Sequence, residues 1–162
     1  MISDKLKKGQ LLISEPSNLG DLSFNRSVIL LADHNETGSV GFIINKPLKY
    51  TINDLLPVIN ANFKIYNGGP VEQDNLYFIH SIPDLIPNSI EISNGTYWRG
   101  DFESTRDLIN EGKIHKNNIR FFLGYSGWEA HQLENEMNNN SWIIAPNNHE
   151  NKIIGKTTTH FW

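Results

Sequence analysis

The segment Gly124-Tyr125-Ser126-Gly127-Trp128 has the residue spacing that comes closest to known catalytic chemistry in this chain of 162 residues. A serine between two glycines, on a tight turn from a strand into a helix, can expose its hydroxyl as a nucleophile. The apolar run Ile119–Leu123 predicts a strand before the segment, and the spacing of apolar residues predicts a helix over 128–137. The local context therefore fits a nucleophile elbow.

Two features of the same segment argue against a hydrolase. Trp128 stands where an elbow needs a glycine, because the helix must pass close to the strand there. A triad also needs a later acid and then a histidine, and Glu134 with His149 is a pair that any chain with six histidines offers. We predict no catalytic residue, and we interpret the glycines as permitting a tight turn and close packing.

Neither a metal site nor a phosphate site is predicted. His34, His80, His131 and Glu134 are scattered, whereas real metal sites have tight local spacing. The turn over residues 68–70 lacks the lysine and hydroxyl residue of a phosphate-binding loop, and Glu72 follows it. We expect no cofactor.

A set of polar and aromatic residues instead lies at the predicted ends of strands and helices. One hypothesis is that several of them converge on a groove that binds a small molecule or a peptide. The alternative, which we favour, is that they cap helices and satisfy buried backbone groups. The tentative binding set is Asp33, His34, Asn45, Lys46, His80, Tyr125, Trp128 and Gln132.

Composition excludes several classes of protein. The net charge of −4 and the pI near 5.8 argue against direct nucleic-acid binding, because phosphate neutralisation needs a basic face. There are no cysteines, which excludes disulfides, thiolate metal sites and cysteine nucleophiles. The N-terminus has no apolar signal region, and the longest apolar runs are too short to span a bilayer. We expect a soluble cytoplasmic protein that does not contact membranes.

The elements that must position these residues are mostly strands. Strands are predicted over 10–14, 27–33, 38–45, 76–80, 90–92, 96–98, 119–123 and 141–145. Thr51 with Asp54 resembles a capping box, Asp101 is expected to open a helix, and Gly112 to close it. Loops are expected over 15–21 and 67–70, and hairpins around the connection 33–38 and around Asn94-Gly95. Because strands follow strands without regular helical crossovers, we predict an α+β fold rather than a doubly wound sheet.

Four segments together resemble the AlgH/YqgE family of bacterial proteins. Their order and spacing carry the resemblance, and relatives commonly have alanine at the place of Ser126. The segments are Gly9–Pro16 followed by Phe24–Val28, Asp33-His34 with Gly38–Pro47, Asn67–Val71 with His80, and Leu123–Glu136 followed by Trp142.

The resemblance implies a mixed, mostly antiparallel, strongly bent sheet that forms a pseudo-barrel flanked by a few helices. It also implies an unsettled function, since the family's label of transcriptional regulator came from genetics. The family pattern usually continues past Trp162, so we expect a single domain over 1–162 with a trimmed C-terminal end. The predicted function is a non-enzymatic binding or regulatory module for an unknown small molecule or protein. The alternative is an enzyme of unknown chemistry that uses the polar groove residues.

Overall fold

The computed structural model describes residues 6–14, 26–145 and 152–155 of the chain. The predicted loop over 15–21 and the chain end after 155 lie outside these residues. Ten strands and four helices occur within the described ranges. They are, in chain order, β1 Leu11–Ser14, β2 Val28–Asn35, β3 Gly38–Ile43, β4 Pro47–Thr51, α1 Ile52–Leu55, β5 Lys64–Asn67, β6 Val71–His80, β7 Ile90–Ser93, β8 Thr96–Trp98, α2 Phe102–Asn110, β9 Ile119–Glu129, α3 Gln132–Asn138, β10 Trp142–Ala145 and α4 Lys152–Gly155.

The strands form one mixed sheet, and this confirms the predicted α+β class. The main path runs β10-β1-β2-β3-β9-β6-β8-β7, and each pair along it is antiparallel. Off this path, β5 pairs with β9 in parallel and with β4 in the opposite direction. The short turns after Asn35 and Ser93 produce the two predicted hairpins, because neighbouring strands joined by so few residues must run antiparallel.

The sheet is strongly bent, as expected, but it does not close into a barrel. Side chains from eight of its strands meet in one apolar cluster, which includes Leu30, Phe42, Trp98 and Phe122. Within the described residues the path still has two ends, β10 and β7, with no ladder between them.

The residues before β1 lie in the gap beside β7. The amide of Gly9 donates to the carbonyl of Leu31 at 2.7 Å. The ammonium of Lys8 donates to the carbonyl of Glu91 at 2.8 Å. A Cβ on Gly9 would lie 2.9 Å from that of Ser93, so only glycine fits this approach. Isolated contacts of this kind, rather than a ladder, connect β7 to the opposite end of the sheet.

Strand β9 organises the packing on both sides of the sheet. It pairs with β3, β5 and β6. Successive side chains of a strand point to opposite faces. Phe122 therefore lies in the apolar cluster that also contains Leu30 and Trp98, whereas Phe121 and Leu123 lie in a second cluster beneath α1 and α2. Trp128 belongs to a third cluster, beneath α3.

The prediction that residues 124–127 turn the chain into a helix is wrong. The strand continues to Glu129, and the helix begins only at Gln132. Gly124 has a φ of +76°, and the register between β6 and β9 shifts beside it. The glycine therefore bends the strand instead of ending it, and the residues after it pair with β3.

Several local signals are confirmed. The Thr51–Asp54 capping box is present at α1, and the Asp101 carboxylate accepts from the Ser104 amide at the start of α2. Gly112 follows α2 with a φ of +76°, which suits a residue just past a helix end. Strands β4 and β5 were not predicted, because Pro47 and the polar residues around β5 hide their periodicity. None of the helices in the described part of the chain has the length and apolar character needed to cross a bilayer.

Candidate functional site

Half of the tentative binding set lines one shallow groove. Asp33, Tyr125, Trp128 and Gln132 border a space of about 450 Å³ where the β2–β3 hairpin meets the end of β9. The Gln132 amide oxygen accepts from the Glu129 amide, and the Trp128 indole donates to Glu136 at 3.1 Å, so both side chains are already engaged. The groove is polar and open, and its residues stabilise the start of α3.

His34 takes part in an arrangement that superficially resembles a catalytic triad. Its Nδ1 lies 2.6 Å from the hydroxyl of Ser39, and its Nε2 lies 3.5 Å from the carboxylate of Glu134. Ser39 is only 6 % exposed, and its backbone lies in ladders with both β2 and β9. The three side chains connect the β2–β3 hairpin to α3, and Ser39 borders the groove.

Asn45 and Lys46 lie away from the groove. The Asn45 side chain accepts from the amide of Val28 at 3.0 Å and donates to the carbonyl of Arg26 at 2.9 Å, which satisfies backbone groups where β2 begins. Lys46 is half-buried, and this burial lowers the pKa of its ammonium. Its carbonyl accepts from the Asn67 amide. The capping interpretation therefore describes Asn45, which serves the backbone rather than a ligand.

Ser126 cannot act as a nucleophile in this fold. It lies within β9, is 0 % exposed, and donates its hydroxyl proton to the carbonyl of Gly68 at 3.1 Å. Gly124, two residues before it, permits a close approach of two backbones: a Cβ on Gly124 would lie 2.5 Å from the carbonyl oxygen of Gly69. That part of the sequence interpretation, close packing at the glycines, is confirmed.

His80 is a buried histidine that holds a loop in place. Its Nδ1 accepts from the amide of Ile82 at 3.2 Å, and its Nε2 lies 2.9 Å from the hydroxyl of Ser89, which itself donates to the carbonyl of Ile86. Burial lowers the pKa of His80 to about 4, against an opposing hydrogen bond to the backbone of Arg99. The imidazole is therefore neutral at pH 7 and fixes residues 82–89 against the end of β8.

Behind His80 lies a cavity that sequence reasoning missed, which we call the Trp98 cavity. Its volume is about 730 Å³, and its walls are mainly apolar and aromatic. Strands β6, β7 and β8 form one side, and the segments around α1 and α2 form the other. The lining residues are Leu56, Leu76, Tyr77, Phe78, Asn88, Ile90, Trp98, Arg99, Gly100, Asp101 and Phe102.

The mouth of the Trp98 cavity has an unusual backbone. Asn88 and Arg99 have φ values of +66° and +62°, and Gly100 has +130°. Non-glycine residues adopt this left-handed region at a cost of about 1 kcal/mol, and they cluster at binding sites. A Cβ on Gly100 would lie 2.4 Å from the side chain of Ile86, so the chain can turn from β8 into α2 only with glycine here.

The charged groups at the mouth differ in how they are used. The guanidinium carbon of Arg99 lies 4.7 Å from the centre of the Trp98 ring, a cation–π contact. The Asp101 carboxylate accepts from both the amide and the hydroxyl of Ser104, and these bonds lower the pKa of Asp101. Asp101 therefore caps the start of α2, whereas the Arg99 guanidinium lies against Trp98 at the apolar opening of the cavity.

Nothing in the described part of the chain brings three histidine, aspartate or glutamate side chains together as metal ligands. His131 and Glu134 do border a third depression, of about 700 Å³, beside β10. His131 there has a φ of +66° and precedes α3. Both residues lie at the start of this short helix, and the Glu134 carboxylate faces His34 of the hairpin.

The fold and the Trp98 cavity define an α+β protein with an open, strongly bent sheet and an apolar pocket at one end of it. The family model described as DUF179, AlgH-like, matches residues 11–162. The chain belongs to this AlgH-like family.

Its relatives are named as uncharacterised proteins. It is 45% identical to a UPF0301 protein of Cytophaga hutchinsonii over 97% of this chain and 86% of that one. It is 46% identical to the UPF0301 protein BF2109 of Bacteroides fragilis over 85% of this chain and 70% of the relative.

Two solved structures share the fold. The solution structure of the AlgH protein of Pseudomonas aeruginosa is 28% identical, with a TM-score of 0.73 over 88% of this chain and 78% of that one. The crystal structure of protein DIP2367 of Corynebacterium diphtheriae has a TM-score of 0.75 at 20% identity, over 94% and 81%. At that identity the second comparison concerns the fold alone.

Proposed function

We propose that this protein is a non-enzymatic binding module and that its ligand occupies the Trp98 cavity. The observation that carries the proposal is the cavity itself: about 730 Å³, mainly apolar, with a few polar groups gathered at its mouth. Ligand sites in proteins typically have volumes of about 300–1,000 Å³ and this distribution of polar groups. A volume of this size accepts a molecule with a two-ring aromatic body.

The absence of a chemical role for the candidate nucleophile supports binding rather than catalysis. Ser126 is fully buried and donates its hydroxyl proton to a backbone carbonyl. The polar groove at Asp33 and Tyr125 is smaller and shares its residues with the start of α3. The Trp98 cavity, by contrast, is lined in part by apolar side chains that stay accessible: Leu76 and Phe102 are half-buried, and Ile90 is exposed.

The proposal also covers the location of the protein in the cell, its domain organisation and the consequence of ligand binding. We place the protein in the cytoplasm as a single domain, and we propose that ligand binding regulates another component of the cell. The acidic composition and the lack of cysteine support this setting, and the charge of −4 also argues against direct nucleic-acid binding.

A neutral fluorescent probe tests the proposal directly. N-phenyl-1-naphthylamine gains fluorescence when it leaves water, so titration with the protein reports an accessible apolar cavity. The blocking variant is Ile90→Trp, because Ile90 lines the cavity and is 42 % exposed, which leaves room for a larger side chain. The matched control is Ile143→Trp, at a residue on β10 that is 47 % exposed and lies outside this cavity.

We expect saturable binding to the wild type and to Ile143→Trp, and at least tenfold weaker binding to Ile90→Trp. Equal binding to all three proteins would place the probe elsewhere and contradict the proposal. Native mass spectrometry of freshly purified protein is the complementary measurement, since a co-purifying molecule would reveal the natural ligand's mass.

A further inference from the structure

We infer that the ligand of the Trp98 cavity is a carboxylate with an apolar, largely aromatic body, and that Arg99 binds its head. This inference rests on the proposed function and adds the chemical class of the ligand. It comes from three features of the mouth: the charge of Arg99, which forms no identified ion pair among the described residues, the contacts that hold Arg99, and the polar groups beside it.

The mouth carries one cation, Arg99, and one carboxylate, Asp101, whose oxygens accept from Ser104. The ion pairs identified among the described residues join Arg106 to Asp107 and Lys113 to Glu111, and neither includes Arg99. The neighbouring acid, Asp101, directs its carboxylate at Ser104 and the start of α2. An incoming anion therefore meets a cation that no described carboxylate neutralises.

Arg99 is held where a ligand head would arrive. Its guanidinium stacks on Trp98, which itself lines the cavity, and its backbone is fixed in the left-handed region. His80, whose ring bonds to the Arg99 backbone, holds that position from behind. A guanidinium ordered in advance loses less conformational entropy on binding and presents parallel N–H donors to a planar carboxylate.

The remaining lining favours one negative charge on an apolar body. Asn88 adds an amide at the mouth, and within the described residues its side chain forms no identified hydrogen bond. Among the described residues, no lysine or second arginine lines the cavity, so a phosphate dianion would lack there the further cations it normally recruits. Deeper in, Phe78, Phe102 and Leu76 offer only apolar surface.

Three probes that share one ring system but differ in head group separate the effect of charge on affinity from the effect of apolar burial. The probes are 2-naphthoate, 2-naphthalenemethanol and 2-naphthylmethylammonium, titrated calorimetrically at pH 7.5 and low salt. The variants are Arg99→Gln, which removes the charge, and Arg99→Lys, which keeps it without the planar fork. Arg106→Gln is the matched control, because Arg106 carries the same charge on α2 but does not line the cavity.

We expect the wild type to bind naphthoate about tenfold more tightly than the alcohol, and the ammonium most weakly of the three. Arg99→Gln should abolish the preference for naphthoate without changing the affinity for the alcohol, Arg99→Lys should retain part of it, and Arg106→Gln should retain all of it. Equal affinity for acid and alcohol, or preference for the ammonium, would overturn the inference while leaving the binding proposal intact. Failure of all three probes to bind the wild type would overturn both.

Discussion

Ser126 and His80 both have side chains that do chemistry in other proteins, and here both are used within the fold. Ser126 donates to the carbonyl of Gly68, and His80 connects three parts of one loop to the end of β8. The sequence suggested a structural role for each, because a histidine at the end of an apolar strand is more often hydrogen-bonded than catalytic. It did not indicate that His80 would lie directly behind a cavity.

Burial of His80 predicts a specific dependence of stability on pH. The folded-state pKa is about 4, below the value near 6.5 expected for the unfolded chain. Between these values the unfolded chain binds more protons, so the free energy of unfolding falls as pH drops from about 6.5 towards 4. The loss attributable to this one group is on the order of 2 kcal/mol.

Urea denaturation at several pH values between 4.5 and 7.5 measures this effect. His80→Gln should reduce stability at pH 7.5 and should also flatten the pH dependence, because no imidazole remains to be protonated. His115→Gln, at an exposed histidine, is the matched control and should keep the wild-type slope. If both variants kept that slope, the buried, neutral state of His80 would be wrong.

At the scale of elements, the sequence predicts best where a turn or a cap is encoded locally. Asp101 and the Thr51–Asp54 pair marked helix starts correctly, and Asn94-Gly95 marked the β7–β8 hairpin. The sequence is least informative about strand ends at Gly124, because a glycine can either end a strand or bend it. Which occurs depends on β3, whose partner residues 38–41 lie more than 80 positions away in the chain.

The close approach of the Gly68 and Gly124 backbones predicts that residue 68 must be glycine. A Cβ at residue 68 would lie 2.3 Å from a backbone carbonyl oxygen, and backbone cannot move aside as a flexible side chain can. Gly68→Ala should therefore cost more than about 3 kcal/mol or prevent folding. The shift of the urea midpoint, or the loss of a cooperative transition, measures this.

Gly112→Ala is the matched control for this prediction. Its φ is +76°, but a Cβ there would meet nothing within 4 Å. The substitution should cost only the backbone strain, about 1 kcal/mol. Similar stabilities for the two variants would show that the β5–β6 connection relaxes more easily than its geometry implies.

At the scale of the whole molecule, the fold class follows from the pattern of elements, but the cavity does not. Its walls come from β6, β7, β8, α1 and α2, which are brought together by the bend of the sheet. The tentative binding set is only partly brought together, because His34 and Asp33 are adjacent in sequence but border different depressions. Adjacent strand residues point to opposite faces, so proximity along the chain misleads.

One signal for the Trp98 cavity was nevertheless present in the sequence. Two strands contain an aromatic pair, Tyr77-Phe78 within β6 and Tyr97-Trp98 at the end of β8, and Arg99-Gly100-Asp101 follows the second. Such a charged, glycine-containing connection after an aromatic strand is a candidate for a binding-site rim. What the sequence could not supply was the pairing of β6 with β8, which brings these two strands side by side.

The most direct test of the binding module is a map of where a neutral naphthyl ligand contacts the protein in solution. Titration of ¹⁵N-labelled protein with 2-naphthalenemethanol, followed by amide and indole chemical shifts, provides it. We predict that the changes concentrate at residues 76–78, 88–90 and 98–102 and at the Trp98 indole, with Trp128 and Trp142 unmoved. Changes centred on residues 33–39 and 125–132, or no saturable change anywhere, would contradict the account.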